Sequence, residues 1–164
     1  AHGVLAVDST PTDSQYYGLR AAVDDQGLVH IEPAFVVDTV QKMQEAVAGI
    51  MADAKMLLAI SPTLEHHVPD YPSRKTIVGH AEIMKYTSLV RSMIQQDPPQ
   101  IGHHGEQLLA EHVNRAVAVR HANALQLSSK RSPGEITLAR LMIFAAAIVS
   151  RPQKRKAAAV YISR

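Results

Sequence analysis

The sequence predicts an α+β domain, with about four helices packed on a small antiparallel sheet drawn from N-terminal strands. Three observations carry this. Short apolar runs bounded by turn residues lie near the N-terminus, at residues 3–7 and 28–31. From residue 34 onward, apolar residues recur mostly at three- and four-residue spacing, the signature of helices with one buried face. Aromatics are scarce, with two Phe, five Tyr and no Trp, so the core is built from Ala, Val, Ile, Leu and Met. A length of 164 residues suffices for one hydrophobic core, and residues 1–164 read as a single globular domain.

In order along the chain, residues 3–7 (GVLAV) form a strand ending at Asp8, and the turn-rich 9–14 segment follows. Residues 16–23 have no decisive period. Asp24-Asp25-Gln26-Gly27 is a turn, and residues 28–31 are a second strand. Pro33 suits the first turn of a helix, where its missing N–H would have no partner, and that helix is expected over 34–59. Residues 61–74, with Pro62, Pro69 and Pro72, form a loop, and a second helix is expected over 76–95. Asp97-Pro98-Pro99 stops it, because a residue before proline is pushed out of the helical region. A third helix is expected over 106–127. The fourth opens on Ser132-Pro133-Gly134-Glu135, read as a capping box, and runs to about Ser150 before Pro152. It is apolar nearly all round, which places it at the centre of the fold or against another subunit. Its nine-residue apolar stretch, 141–149, is far short of the roughly 20 residues needed to span a membrane. Residues 160–163 are a candidate last strand beside the N-terminal pair.

Charge divides unevenly. Residues 1–129 carry 9 Lys/Arg against 14 Asp/Glu, a net of −5, whereas residues 130–164 carry 8 against the single acid Glu135, a net of +7. The basic part points to an acidic or phosphorylated partner, and Lys130, Arg131, Arg151, Lys154, Arg155 and Lys156 are its candidate anion-binding residues. Arg151 to Lys156 also follow a helix C-terminus, where cations complement the helix dipole without any ligand. Nucleic acid finds weak support, since only Tyr161 is available nearby for base stacking. The absence of cysteine excludes disulfides, thiolate metal sites and a cysteine nucleophile. A cytoplasmic location is expected, with no signal segment at the start of this sequence.

Nine histidines form the other unusual feature. Glu65-His66-His67 and His103-His104 are doublets in predicted loops, and Glu111-His112 lies on the predicted third helix. Imidazole is the commonest metal ligand and exchanges protons near neutral pH. His66, His67, His103 and His104 are therefore candidate ligands for a divalent metal such as zinc, and with Glu65, Glu111 and His112 they are candidate acid/base groups. No HExxH pair supports such a site. His80 reads as a histidine at the edge of the core. The stretch from Leu64 to Pro69 (LEHHVP), with Tyr71 to Lys75 and Gly79 after it, resembles the Glu-His-His segment of GTP cyclohydrolase I. That family's zinc is held by two cysteines and a histidine. One of those cysteines falls where Leu64 stands here, so the resemblance comes without its metal ligands.

Asp8-Ser9-Thr10 sets a carboxylate and two hydroxyls at a strand end, as many enzymes do, and reads more simply as a polar turn. No nucleophile elbow, P-loop or dinucleotide fingerprint occurs. Two functional readings stand. The leading one is a non-catalytic, homo-oligomeric assembly or binding module whose basic C-terminal segment meets an acidic or phosphorylated partner. The alternative is a small metal-dependent or acid/base enzyme that uses the loop histidines.

Overall fold

A computed structural model of the chain describes residues 3–151. It is an α+β fold with four helices, a mixed six-stranded sheet and a separate two-stranded hairpin. The strands of the main sheet are β1 (Gly3–Ser9), β2 (Tyr16–Val23), β3 (Val29–Val37), β4 (Met56–Ile60), β5 (Lys75–Ile77) and β6 (Ile101–Gly102), in the order β5-β4-β1-β2-β3-β6. β1, β2 and β3 are an antiparallel meander, while β4 pairs parallel to β1, β5 to β4, and β6 to β3.

β1 is interior to this sheet and covered on both faces, which is why its sequence is a continuous apolar run rather than an alternating one. Val4 and Ala6 join one core cluster and Leu5 and Val7 the other, all fully buried. The helix α1 (Val40–Met51) lies on the Leu5 side through Met43, Val47 and Met51. On the Val4 side lie α2 (His80–Gln95), α3 (Gln107–Arg115) and α4 (Thr137–Val149), and α4 sits directly on β1 and β2. Every residue of α4 except Arg140 is buried. Its apolar character is thus satisfied within this chain's own core, at about 1.5–3 kcal/mol for each large side chain removed from water.

Several expected boundaries differ. Residues 33–37 extend β3 instead of opening a helix. α1 starts only after Thr39, whose hydroxyl accepts the Lys42 N–H at 3.2 Å. Residues 52–55 form a turn, and the apolar run 56–60 becomes β4. Short apolar runs have no period of their own, so pairing with β1 decides this one. α2 begins at His80, where Glu82 accepts the Gly79 N–H at 2.7 Å, and residues 75–77 are a strand. His80 itself is exposed at the helix start and is not a core-edge residue. The expected third helix stops at Arg115, and the rest becomes the hairpin β7 (Ala118–His121) and β8 (Ala124–Leu127), which turns through Ala122 at φ 52°. The Ser132 capping box does not form: the Ser132 hydroxyl donates to the Ser128 carbonyl at 2.7 Å and accepts the Val117 N–H at 3.0 Å. The proposed strand at 160–163 lies outside the described residues.

One close approach fixes the packing of β3 on β2 on the Leu5 side of the sheet. A Cβ on Gly18 would lie 2.3 Å from the Phe35 ring, at the irregularity where β2 shifts register against β3. Only glycine lets the β3 aromatic pack over the β2 backbone there, next to Tyr17, which pairs with Asp8 of β1.

Candidate functional site

The C-terminal end of β1 carries the one buried carboxylate among the described residues. Asp8 continues the Val4–Ala6 side of the strand and is 9% exposed. β4 runs parallel to β1, so its last residues end beside it: the Ser61 N–H donates to the Val7 carbonyl at 3.2 Å. In open sheets, side chains at the carboxyl ends of parallel strands are where ligands gather. Opposite Asp8 is the start of α4, which contributes Glu135, Thr137 and Arg140. These residues, with Ser9, Thr10, Asp13, Thr63 and Ser129, line an open cavity of about 260 Å³.

The electrostatics of this cleft are set by burial. The Asp8 carboxyl is held above its usual range, chiefly because burial penalises the charged form. Arg140, 3.7 Å away, acts in the opposite direction but does not cancel that penalty, and neither do hydrogen bonds from Ser9 and Ser61. The negative charge of Glu135 adds to the upward push. Glu135 devotes Oε1 to its own helix, accepting the N–H groups of Ile136 at 3.1 Å and Thr137 at 3.0 Å and the Thr137 hydroxyl. Its Oε2 makes no hydrogen bond among the described residues. Arg140 donates to Ser129 at 3.4 Å, and its Nε is buried without a partner among the described residues.

α3 supports this arrangement from behind. His112, 1% exposed, accepts the Leu138 N–H on Nδ1 at 3.0 Å and packs against Tyr17 with ring centres 5.4 Å apart. Burial holds this imidazole below its ordinary pKa, and the Arg115 charge adds to that. Arg115 donates to the Glu135 carbonyl at 3.2 Å and pairs with Glu111 at 3.3 Å.

The histidine doublets are not brought together. Glu65, His66 and His67 form one 3₁₀ turn after β4, with both imidazoles exposed. His103 and His104 follow β6 at the opposite end of the sheet, where His104 stacks on His30 at 6.5 Å. Glu111 and His112 are neighbours on α3, but His112 serves there as a buried acceptor. Among the described residues, no three His, Cys, Asp or Glu side chains form a set that could hold a metal ion. Of the candidate anion-binding residues, Lys130 and Arg131 are exposed and directly follow Ser129, which lines the cleft. Arg151 lies over the Tyr86 ring at 5.2 Å, beyond the far end of α4. Lys154, Arg155 and Lys156 lie outside the described residues. No described helix is long and apolar enough to cross a membrane.

In the sequence, Asp8 is a strand-end carboxylate and Glu135 a helix-start residue, and no local pattern joins them. The signal that could have joined them is the lone acid, Glu135, within a strongly basic stretch, together with the lone charge, Arg140, inside an apolar helix.

No protein-family model matches the chain, and no curated protein sequence matches it. Among solved structures, the fold is similar to the crystal structure of the HK97 bacteriophage large terminase, with a TM-score of 0.72 at 11% identity over 90% of this chain. The chain corresponds to 39% of the length of that protein, and the likeness is one of fold.

Proposed function

We propose that the Asp8–Glu135 cleft of this chain hydrolyses a phosphodiester of nucleic acid with a divalent cation. The observation that carries this reading is Asp8: a carboxylate buried at a strand end at a cost in stability, facing a second carboxylate across an open cleft. Charges kept in such positions mark functional sites. The donor set suits a hard ion such as Mg²⁺ or Mn²⁺, which takes one or two carboxylates and completes its shell with water and substrate phosphate. That preference accommodates the lack of a third clustered ligand. When bound, the cation would polarise a phosphoryl oxygen and lower the pKa of coordinated water.

The chain's own residues would divide the remaining work. Asp8 and Glu135 Oε2 would hold the cation. The buried, unpartnered Nε of Arg140 offers a donor to a phosphate oxygen, and Lys130 and Arg131 attract the polyanion. Ser9, Thr10 and Thr63 supply hydroxyls around the cleft. The similarity in fold to a phage large terminase favours this assignment over the histidine-based enzyme.

The test is cleavage of plasmid DNA and of single-stranded RNA by the 164-residue chain in Mg²⁺ or Mn²⁺. Cleavage that needs the cation, with Asp8→Asn and Glu135→Gln each lowering the rate on the order of a hundredfold or more, is the expected result. Cleavage of equal rate in Asp8→Asn, or calorimetry that detects no Mn²⁺ binding to the parent chain, would overturn it.

The charge split supports a second, non-catalytic reading, in which the basic segment from Lys130 onward docks on an acidic or phosphorylated partner or on another copy of the chain. Salt-sensitive association that is lost when Lys154, Arg155 and Lys156 are neutralised would favour it.

A further inference from the structure

The last turn of α3 makes three independent contacts with the segment that carries Glu135. His112 Nδ1 accepts the N–H of Leu138, one of the first-turn donors of α4 that no intrahelical carbonyl can satisfy. Arg115 donates to the carbonyl of Glu135 itself. The Arg115 side chain also lies across Gly134, where an added Cβ would stand 3.0 Å from its Cδ. Glu111, at 3.3 Å, holds the guanidinium in that position, and the Tyr17 ring closes over His112 from β2.

Ile136 and Leu138 anchor the following residues in the core, whereas the residues just before Glu135 have few ties. Pro133 and Gly134 are exposed, and the Glu135 side chain bonds only to its own helix start. The backbone from which Glu135 is presented is therefore tied to α3 at two points, the Glu135 carbonyl and the Leu138 N–H. We propose that His112 and Arg115 are positioning residues, which fix the backbone at Glu135 and Leu138 so that the Glu135 carboxylate meets the cation that Asp8 holds. This rests on the reading of Asp8 and Glu135 as cation ligands, and deepens it by assigning the residues that aim one of them. A buried acceptor on a helix N–H has an additional property: only a side chain with a lone pair at the Nδ1 position can replace it. Asparagine places its amide oxygen close to that position, and leucine has no acceptor there.

The test compares His112→Asn, His112→Leu and Arg115→Met in the 164-residue chain. It uses three readouts: hydrogen exchange at the Leu138 amide, Mn²⁺ affinity by calorimetry, and the rate of cation-dependent cleavage. His112→Leu and Arg115→Met are each expected to weaken Mn²⁺ binding or slow cleavage by about 10- to 100-fold, the range for residues that orient a ligand. Faster Leu138 exchange should accompany the loss in His112→Leu, and His112→Asn should recover most of both. Should His112→Leu fail to fold, His112→Asn and Arg115→Met still decide the matter. The inference is overturned if Leu138 exchange rises in His112→Leu while Mn²⁺ affinity and rate match the parent, or if asparagine rescues no better than leucine. A parent chain that neither binds Mn²⁺ nor cleaves overturns the underlying assignment and this inference with it. Unchanged Leu138 protection in His112→Leu counts against the His112 anchor alone.

Discussion

The two ends of β1 hold similar chemistry in opposite environments. At its C-terminal end Asp8 is buried, faces Arg140 and Glu135, and is held above its usual ionisation range by that burial. Toward its N-terminal end, Arg20, His30, Glu32, Asp53, Lys55 and His104 surround a cavity of about 350 Å³. There the best-made pair, His30 Nε2 to Asp24 at 2.7 Å, is open to solvent, and the hydrogen bond from His30 holds the Asp24 carboxyl below its usual range. The second end has more titratable side chains and the shorter contact. The first has the destabilised charge. Residue type alone does not separate them: the difference lies in how much water each group has lost, and α4 covering one end is what removes it.

The largest effect expected from this comparison comes from removing Arg140. Arg140→Leu leaves the buried Asp8 charge without its counter-ion, and should cost about 3 kcal/mol of stability at pH 8. That cost should shrink as pH falls and Asp8 takes up a proton, and it should largely vanish in the Asp8→Asn, Arg140→Leu double variant. Urea unfolding of the four members of the cycle, at pH 8 and pH 4.5, checks this. A loss of equal size at both pH values would mean that Arg140 matters for packing rather than for charge.

A smaller effect of opposite sign is expected from Asp8→Asn alone. Because the folded state raises the Asp8 pKa, the native protein binds more protons than the unfolded chain between the carboxyl's ordinary value and the raised one. Its contribution to stability therefore falls as pH rises through that window. Above it, replacing the carboxylate should stabilise the chain by about 1 kcal/mol, or roughly 2–4 °C in Tm. A gain in stability joined to a loss of cation-dependent cleavage is the pattern expected of a site that works at the expense of stability. His112 has the opposite sign: its lowered pKa gives stability that is present above the ordinary histidine value near 6.5 and is lost as pH falls below it. The two groups thus pull the pH–stability curve in opposite directions, and His112→Asn should remove only the acid-side loss.

The least effect is expected at the open end. Asp24→Asn and His30→Asn should leave the thermal midpoint and the cleavage rate where they were, because solvent already screens that pair. A measurable loss of activity in either variant would move attention to the cavity at His30 and His104.

How much of this was legible in the chain varies by element. The strand at 3–9, the turn at 24–27, the buried helix at 137–149 and the stop at Asp97-Pro98-Pro99 follow from local patterns: continuous apolar runs, turn residues and proline sterics. The elements that were misread are those in which a helix-compatible pattern is overridden by pairing. Residues 56–60 and 33–37 become strands because β1 and β2 offer open edges, and 118–127 folds back on itself instead of extending α3. Ser132 and Glu135 sit at the spacing of a capping box, yet Ser132 is drawn to Ser128 and Val117, and the first N–H groups of the helix go to Glu135 and His112 instead.

By itself the sequence determined the α+β class, the presence of one helix apolar nearly all round and the gathering of positive charge from residue 130 onward, because each is a property of composition or local period. The cleft was decided only by tertiary structure. Asp8 and Glu135 are separated by more than a hundred residues, and what sets them facing is the parallel β1–β4 pairing and the packing of α4 across it. The physical reason is desolvation: the same aspartate is a plain polar turn residue in water and a buried carboxyl held above its usual ionisation range once α4 closes over it.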